Sequence, residues 1–128
     1  FEGAYYGMYF LELADYCTRE NNDEREVLKL LYQSLRALTV KSIPRRLVRC
    51  IYEIRLIVAN GEFPGLPQGN FSETALYAVE FIAGTPVEKL YTFTLKEEVL
   101  AELVQIAEKY RRDFLPGEFH TLEILETL

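Results

Sequence analysis

The chain has 128 residues, of which 49% are apolar and 27% are charged, as is typical of one soluble globular domain with its own core. Its apolar runs fall short of the ~18–20 residues that a membrane span needs, and no signal peptide pattern opens it. The net charge of −6 argues against a general nucleic-acid-binding surface, so any anion binding must be local. Because the sequence starts at Phe1 without a methionine, we expect a piece of a longer protein cut at a domain boundary.

Apolar residues recur at helical spacing through almost the whole chain, without the sustained alternation that indicates a strand. The first helix is predicted over Glu2–Arg19, and the second runs from a cap at Asn21–Asn22 to about Thr39. The third is predicted to follow a cap at Ser42, with a proline in its first turn, and to stop at Asn60–Gly61.

Residues 63–71 (FPGLPQGNF) interrupt the helical pattern with two prolines and two glycines. Three helices and a short last segment are predicted after this loop: Ser72–Ala83, a short helix opened by a capping box at Thr85, Thr94–Phe114, and Glu118–Leu128. The predicted fold class is therefore all-α, a compact bundle of about six helices of unequal length without a sheet, in one domain over residues 1–128.

The residues that most often carry catalysis or bind metals are few. Cys17 and Cys50 lie in separate helical segments without CxxC spacing, so we expect two reduced core thiols, with a disulfide between helices as the alternative. These two cysteines and the single histidine, His120, cannot build a metal site at their separations. No nucleophile stands at a catalytic spacing from His120, so the sequence does not predict an enzyme.

The third predicted helix concentrates positive charge in an otherwise acidic chain. Its arginines are Arg45, Arg46, Arg49 and Arg55. Arg45 and Arg49 share one helical face with Tyr52, opposite an apolar arc. Two interpretations stay open at this point: a solvated helical face, or a short anion-recognition stripe for a phosphate backbone or an acidic peptide tail.

Arg55 falls inside the apolar arc, where a guanidinium needs a partner. One interpretation is an internal ion pair with a helix-face acid such as Glu12, Glu53 or Glu80. The other is an anionic ligand from outside the fold. The sequence leaves both open.

Three stretches resemble one protein family: RCIYEIRLIVANGEFP at Arg49–Pro64, LYAVEFIAGTPVEKLYTFTLKEEVL at Leu76–Leu100, and FHTLEILETL at Phe119–Leu128. They are similar to the C-terminal helical domain of the bacterial RecO recombination mediators, and most of all to forms from clostridia-like Gram-positive bacteria. The resemblance covers nearly the whole chain.

The resemblance implies a non-enzymatic, cytoplasmic role in DNA repair. RecO proteins combine a strand-binding N-terminal OB-fold with a helical domain, act with RecR to displace the single-strand DNA-binding protein SSB, and help to load RecA. In some members the helical domain receives the acidic, Phe-terminated tail of SSB in an apolar pocket rimmed by basic residues. Alternatives are a structural brace for the OB-fold, or direct binding of single-stranded DNA through the arginine stripe.

Two departures from the family pattern limit what the resemblance implies. The OB-fold is absent from this sequence, so strand binding and annealing should be weak here. Many relatives carry a four-cysteine zinc module after the third helix, where this chain has only the loop at 63–71. Either the module is lost or a cysteine-bearing segment is missing after Gly65. The residues present predict no metal.

The site residues predicted on these grounds are Arg45, Arg49 and Arg55 as anion contacts, with Tyr52 as an apolar wall.

Overall fold

A computed structural model describes residues 2–20, 24–115, 117 and 119–127. Within these residues the chain forms six α-helices of unequal length, a single 3-10 turn at Val87–Lys89, and no strand. The helices are α1 (Glu2–Glu20), α2 (Glu24–Ala37), α3 (Arg45–Ala59), α4 (Glu73–Gly84), α5 (Glu97–Phe114) and α6 (His120–Glu126). The all-α prediction is confirmed. The predicted cap at Asn21–Asn22 lies outside the described residues.

Helix α3 forms the centre of the bundle, since it packs against α1, α2, α4 and α5. Five consecutive residues of this helix are buried: Cys50, Ile51, Tyr52, Glu53 and Ile54. Consecutive side chains of a helix point about 100° apart, so a run of five can be buried only where neighbours enclose the helix. The predicted division of α3 into an apolar arc and a polar face therefore fails beyond its first turns.

The start of α3 differs from the prediction. The helix begins at Arg45, directly after Pro44, whose extended backbone (φ −58°, ψ 136°) occupies the cap position. The carbonyl of Pro44 accepts hydrogen bonds from the N–H groups of Leu47 and Val48 at 3.0 and 3.1 Å. Ser42 is therefore not the cap, because the connection before α3 extends to Pro44, two residues further than predicted.

Two predicted threonine caps are also wrong. Thr85 ends α4 instead of opening a new helix, because its backbone is extended (ψ 143°) and its N–H donates to the Phe81 carbonyl at 3.0 Å. Only a single 3-10 turn follows it. Helix α5 begins at Glu97 after an extended Lys96, so Thr94 lies outside the helix.

The remaining predicted helix ends within the described residues are close to the observed ones. Ser72 caps α4, since its side-chain oxygen accepts from the Ala75 N–H at 3.2 Å. The Glu102 carboxylate fixes that cap by accepting from both the N–H and the hydroxyl of Ser72, each at 2.7 Å. Gly61 follows α3 with a positive φ of 75°, a conformation that glycine adopts without strain.

The two thiols and the loop match their predictions. Cys17 and Cys50 are both buried and unbridged, so the expectation of two core thiols is confirmed. Residues 63–71 contain no helix. The loop is fixed to α5 by the Tyr110 hydroxyl, which donates to the Gly65 carbonyl at 2.7 Å, and by the edge of the Phe63 ring against Tyr110.

Candidate partner-binding site

The connection between α2 and α3 is a compact series of turns. The N–H of Val40 donates to the Ala37 carbonyl at 3.1 Å, and the N–H of Ile43 donates to the Val40 carbonyl at 3.2 Å. Thr39 closes one turn further through its hydroxyl, which donates to the Arg36 carbonyl at 2.7 Å. These bonds hold the apolar side chains of the connection in fixed positions beside the first turn of α3.

A cleft of about 380 Å³ opens on this connection. Its lining residues are Leu38, Thr39, Val40, Lys41, Ile43, Pro44 and Arg45. Aliphatic side chains and the proline ring supply most of the wall, and Lys41 and Arg45 supply two cations. We name this feature the 38–45 cleft. It combines an apolar surface with positive charge.

The electrostatics of the cleft favour an anion. The first turn of α3 contains Arg45 and Arg46 and no acid. The unpaired N–H groups at a helix N-terminus already carry a partial positive charge, which normally attracts Asp or Glu. In the described part of the chain, neither Lys41 nor Arg45 has a hydrogen bond or an ion pair. Lys41, Arg45 and the N-terminus of α3 thus concentrate positive charge at the cleft, and no acid of the described residues pairs with either side chain.

Arg45 owes its position in part to a glycine of α1. A Cβ atom built on Gly3 would lie 3.3 Å from a guanidinium nitrogen of Arg45, so the missing side chain lets Arg45 lie across α1. Its neighbour Arg46 is different, since it points to α5 and contacts the Glu97 carboxylate at 3.3 Å. Both partners of that pair are more than half exposed, so the pair contributes little to stability.

Arg49, by contrast, belongs to a buried cluster. Its Nε lies 3.2 Å from Oε2 of Glu53, and its guanidinium lies over the Tyr9 ring at 5.3 Å from the ring centre. The Tyr9 hydroxyl donates to the same Glu53 oxygen, and Nε of Arg111 lies 3.7 Å from it. We name these four residues the Glu53 cluster. It joins α1, α3 and α5 through one carboxylate that is only 3% exposed.

The pKa shifts in the cluster follow from burial and charge. Burial raises the pKa of Glu53, while Arg49, the Tyr9 hydroxyl and Arg111 act in the opposite direction. Burial alone would lower the pKa of Arg49, but the Glu53 carboxylate together with Tyr9 and Cys50 outweighs it, so that the pKa lies above its usual value. Arg49 is therefore engaged inside the fold and is not available as a free cation.

Tyr52 is completely buried, with 0% of its surface exposed, so the expectation that it walls an accessible pocket requires correction. Its ring stacks on Phe10 with 4.2 Å between ring centres. Its hydroxyl donates to the Phe10 carbonyl at 2.6 Å. The physical reason is that α1 packs over the face of α3 on which the helical wheel places Tyr52 together with Arg45 and Arg49.

Arg55 binds neither of the two partners considered for it, which were an acidic side chain of the fold and an anionic ligand from outside. Its guanidinium donates to the backbone carbonyls of Ile82, at 2.9 Å, and of Thr85. These carbonyls belong to the C-terminal end of α4, which carries a partial negative charge. Arg55 thus caps a neighbouring helix.

Of the four predicted site residues, Arg45 alone lines the 38–45 cleft. The site predicted from the sequence did not include Leu38, Val40, Lys41 and Ile43, because Leu38 was assigned to the second helix and residues 40–43 to the connection that follows it. An available signal was the pair Val40–Lys41, where an aliphatic residue adjoins a cation outside any helix. Within the described residues, no group of three or more His, Cys, Asp or Glu side chains is placed to hold a metal ion.

The fold and this cleft define an all-α domain that presents a cationic, partly apolar cleft at the start of its central helix. A family model described as "Recombination protein O C terminal" matches residues 1–68, just over half of the 128-residue chain. The chain belongs to this family, and the resemblance to RecO is confirmed. The match includes all of α1–α3 and every residue of the 38–45 cleft.

Membership in a family of recombination mediators supports a role in recombination and DNA repair. No curated protein and no solved structure shows a significant match to the chain. No helix in the described residues has the length and apolarity to cross a membrane.

Proposed function

We propose that this domain captures the acidic, aromatic-terminated tail of SSB in the 38–45 cleft, and so recruits a RecO-like mediator to SSB-coated strands in the bacterial cytoplasm. The observation that carries the proposal is the coincidence of unpaired Lys41 and Arg45 with an apolar wall at the positive end of α3. In this role the domain acts without catalysis. Strand binding, cooperation with RecR and RecA loading then depend on the OB-fold of the complete protein.

The chemistry of such a tail matches both halves of the cleft. Its terminal and side-chain carboxylates would pair with Arg45, which can form two parallel hydrogen bonds to a carboxylate, and with Lys41 as a point charge. The terminal aromatic ring would pack on Leu38, Val40 and Ile43, where burial of a large ring supplies most of the affinity. Neither half alone would select this ligand over a generic anion or a generic apolar peptide.

A second apolar cleft is the structural competitor for the tail. It has a volume of about 260 Å³ and lies between the 63–71 loop and α5, with Pro64, Leu66, Phe71 and Phe114 in its wall. Its one cation, Lys109, already contacts the Asp113 carboxylate at 3.0 Å. A carboxylate ligand there would meet a paired cation beside an acid. The 38–45 cleft is therefore the better site for an acidic tail.

The test is a titration of the purified domain with a fluorescent peptide that ends in acidic residues and a terminal phenylalanine. We expect Arg45→Ala and Lys41→Ala each to weaken binding about tenfold, as expected for loss of one charge-assisted contact. Val40→Asp should also weaken it, because it places an acid in the apolar wall. Arg112→Ala is the matched control, since it removes an exposed arginine of α5 that does not line the cleft.

The alternatives predict different results in the same assay. Tight, salt-sensitive binding of labelled oligo-dT that is lost in Arg45→Ala would favour direct strand binding. Absence of binding to both probes would leave the structural brace as the role of the domain. Peptide binding that is unchanged in Arg45→Ala but lost in Phe114→Ala would move the site to the second cleft.

We further propose that these 128 residues work without a bound metal. Elemental analysis of the purified 128-residue protein for zinc tests this, and stoichiometric zinc in it would contradict the proposal.

A further inference from the structure

Helix α2 presents an exposed ridge of cations and one tyrosine on the face opposite its core contacts. Lys29, Tyr32 and Arg36 lie at helical spacings of three and four residues, so they share one face. The Tyr32 side chain is 60% exposed, and the Arg36 guanidinium lies over its ring at 5.7 Å from the ring centre. Lys29 has only a long contact to Glu26, at 3.9 Å between half-exposed groups. We name these three residues the α2 stripe.

Helix α4 presents a stripe of the opposite charge. Glu73, Tyr77 and Glu80 lie at spacings of four and three residues, and again share one exposed face. The Tyr77 side chain is 70% exposed. In the described part of the chain neither acid has an ion pair. We name these three residues the α4 stripe.

The two stripes are complementary when the helices run antiparallel. Along α2 the order is cation, tyrosine three residues later, cation four residues later. Along α4, counted backwards from Glu80, the order is acid, tyrosine three residues later, acid four residues later. An antiparallel pair therefore places Lys29 against Glu80, Tyr32 against Tyr77, and Arg36 against Glu73. Antiparallel helices also align their dipoles favourably.

The stripes cannot meet within one molecule. Both α2 and α4 pack on α3, and they have no contact with each other. We therefore propose that the α2 stripe of one molecule binds the α4 stripe of a second copy of the same chain. This contact uses different patches on its two sides, so it is heterologous and can continue head to tail.

The details of the α2 stripe favour a protein helix over a nucleic-acid strand as its occupant. Arg36 already covers one face of Tyr32, which reduces the ring surface available for base stacking. Next to the stripe, Leu28 is 50% exposed and offers an aliphatic contact that a strand does not use. Exposed ion pairs contribute little individually, so the association is weak and depends on concentration and salt.

The test is sedimentation velocity on the purified 128-residue protein over a wide concentration range. We expect concentration-dependent self-association that weakens by about tenfold or more between about 0.05 and about 0.5 M salt. The double variant Lys29→Glu/Arg36→Glu then carries two acidic stripes and should be monomeric. The double variant Glu73→Lys/Glu80→Lys carries two basic stripes and should also be monomeric.

Mixing the two double variants supplies the decisive result, because one variant then supplies two acidic stripes and the other supplies two basic stripes. We expect heterodimers in the equimolar mixture and none in either variant alone. A wild-type protein that stays monomeric throughout, a charge reversal that leaves association unchanged, or a mixture that stays monomeric would each overturn the proposal. Thermal melts monitored by circular dichroism confirm that both variants are folded. If one is not, the neutral pair Lys29→Gln/Arg36→Gln replaces it, with loss of self-association expected.

Discussion

Arg45 and Arg49 lie one turn apart on the same helix, yet their environments are opposite. Arg49 contacts a buried carboxylate and a tyrosine ring, whereas Arg45 is exposed beside an apolar cleft and has no partner in the described residues. The difference comes from what packs over each turn. Tyr9 of α1 covers Arg49, whereas Arg45 lies against Gly3 of α1, which has no side chain. A charge that is paired inside a fold is costly to leave unpaired, whereas an exposed charge without a partner is available for binding.

Removal of the buried carboxylate should have the largest effect. We expect Glu53→Ala to lower the free energy of unfolding by about 3–5 kcal/mol, because it leaves Arg49 and Arg111 buried without a counter-charge. Urea denaturation measures the change. Glu97→Ala is the matched control, since it removes the exposed partner of Arg46 and should cost under about 1 kcal/mol. Equal losses in the two variants would contradict the contrast between engaged and unengaged arginines.

Arg55 should show the next largest effect. Its charged hydrogen bonds to the Ile82 and Thr85 carbonyls stabilise the end of α4, and we expect Arg55→Ala to cost about 1.5–3 kcal/mol. Affinity for the tail peptide should stay unchanged in the folded variant, because Arg55 does not line the 38–45 cleft. A fully stable variant with lost peptide binding would instead make Arg55 a ligand contact, as the sequence allowed.

Glu12 gives a smaller, pH-dependent effect, since its carboxylate is the remote cap of α6. It accepts hydrogen bonds from the N–H groups of His120, at 3.0 Å, and Thr121, at 2.9 Å, and from the Thr121 hydroxyl. Burial acts to raise the pKa of Glu12, but these bonds outweigh it and hold the pKa below the ordinary value of 4.5. The stabilisation is therefore complete above that value and is lost as pH falls below it toward the lowered pKa.

We accordingly expect Glu12→Gln to cost about 1 kcal/mol at neutral pH, as for loss of a helix cap, and less as the solution is acidified. Urea denaturation at a series of pH values measures the difference. Glu123→Gln, on an exposed position of α6, should lie close to the wild type throughout. A difference between Glu12→Gln and the wild type that grows on acidification would refute this assignment.

Helical spacing, capping residues and glycine stops predicted most of the helices, because those signals are local in the sequence. The stop at Gly61 and the cap at Ser72 are examples. The burial of Tyr52 was not predictable, since it depends on Phe10, which lies 42 residues away in the chain. One missed partner was local, however. Arg49 and Glu53 are four residues apart and face each other, whereas Glu53, considered for Arg55, lies two residues from it on another side of the helix.

The cleft itself was not readable from the sequence, because Leu38, Ile43 and Arg45 become neighbours only after the connection folds into consecutive turns. Local patterns specify whether a residue is helical. They do not specify which side chains two helix ends bring together. The same limit applies to the two stripes on α2 and α4, whose charges are readable but whose exposure is not.

The smallest change in stability should accompany a large change in binding. An arginine in the first turn of α3 opposes the helix dipole, so Arg45→Glu should raise the free energy of unfolding by about 0.3–1 kcal/mol. The same variant replaces a cation of the cleft with an acid and should weaken tail-peptide binding at least about tenfold. Arg49→Glu is the contrasting variant, since it places a second carboxylate against Glu53 and should destabilise the fold. If Arg45 serves a ligand, the Arg45→Glu variant gains stability and loses affinity for the peptide. A variant that loses both stability and affinity would make Arg45 a structural residue like Arg49.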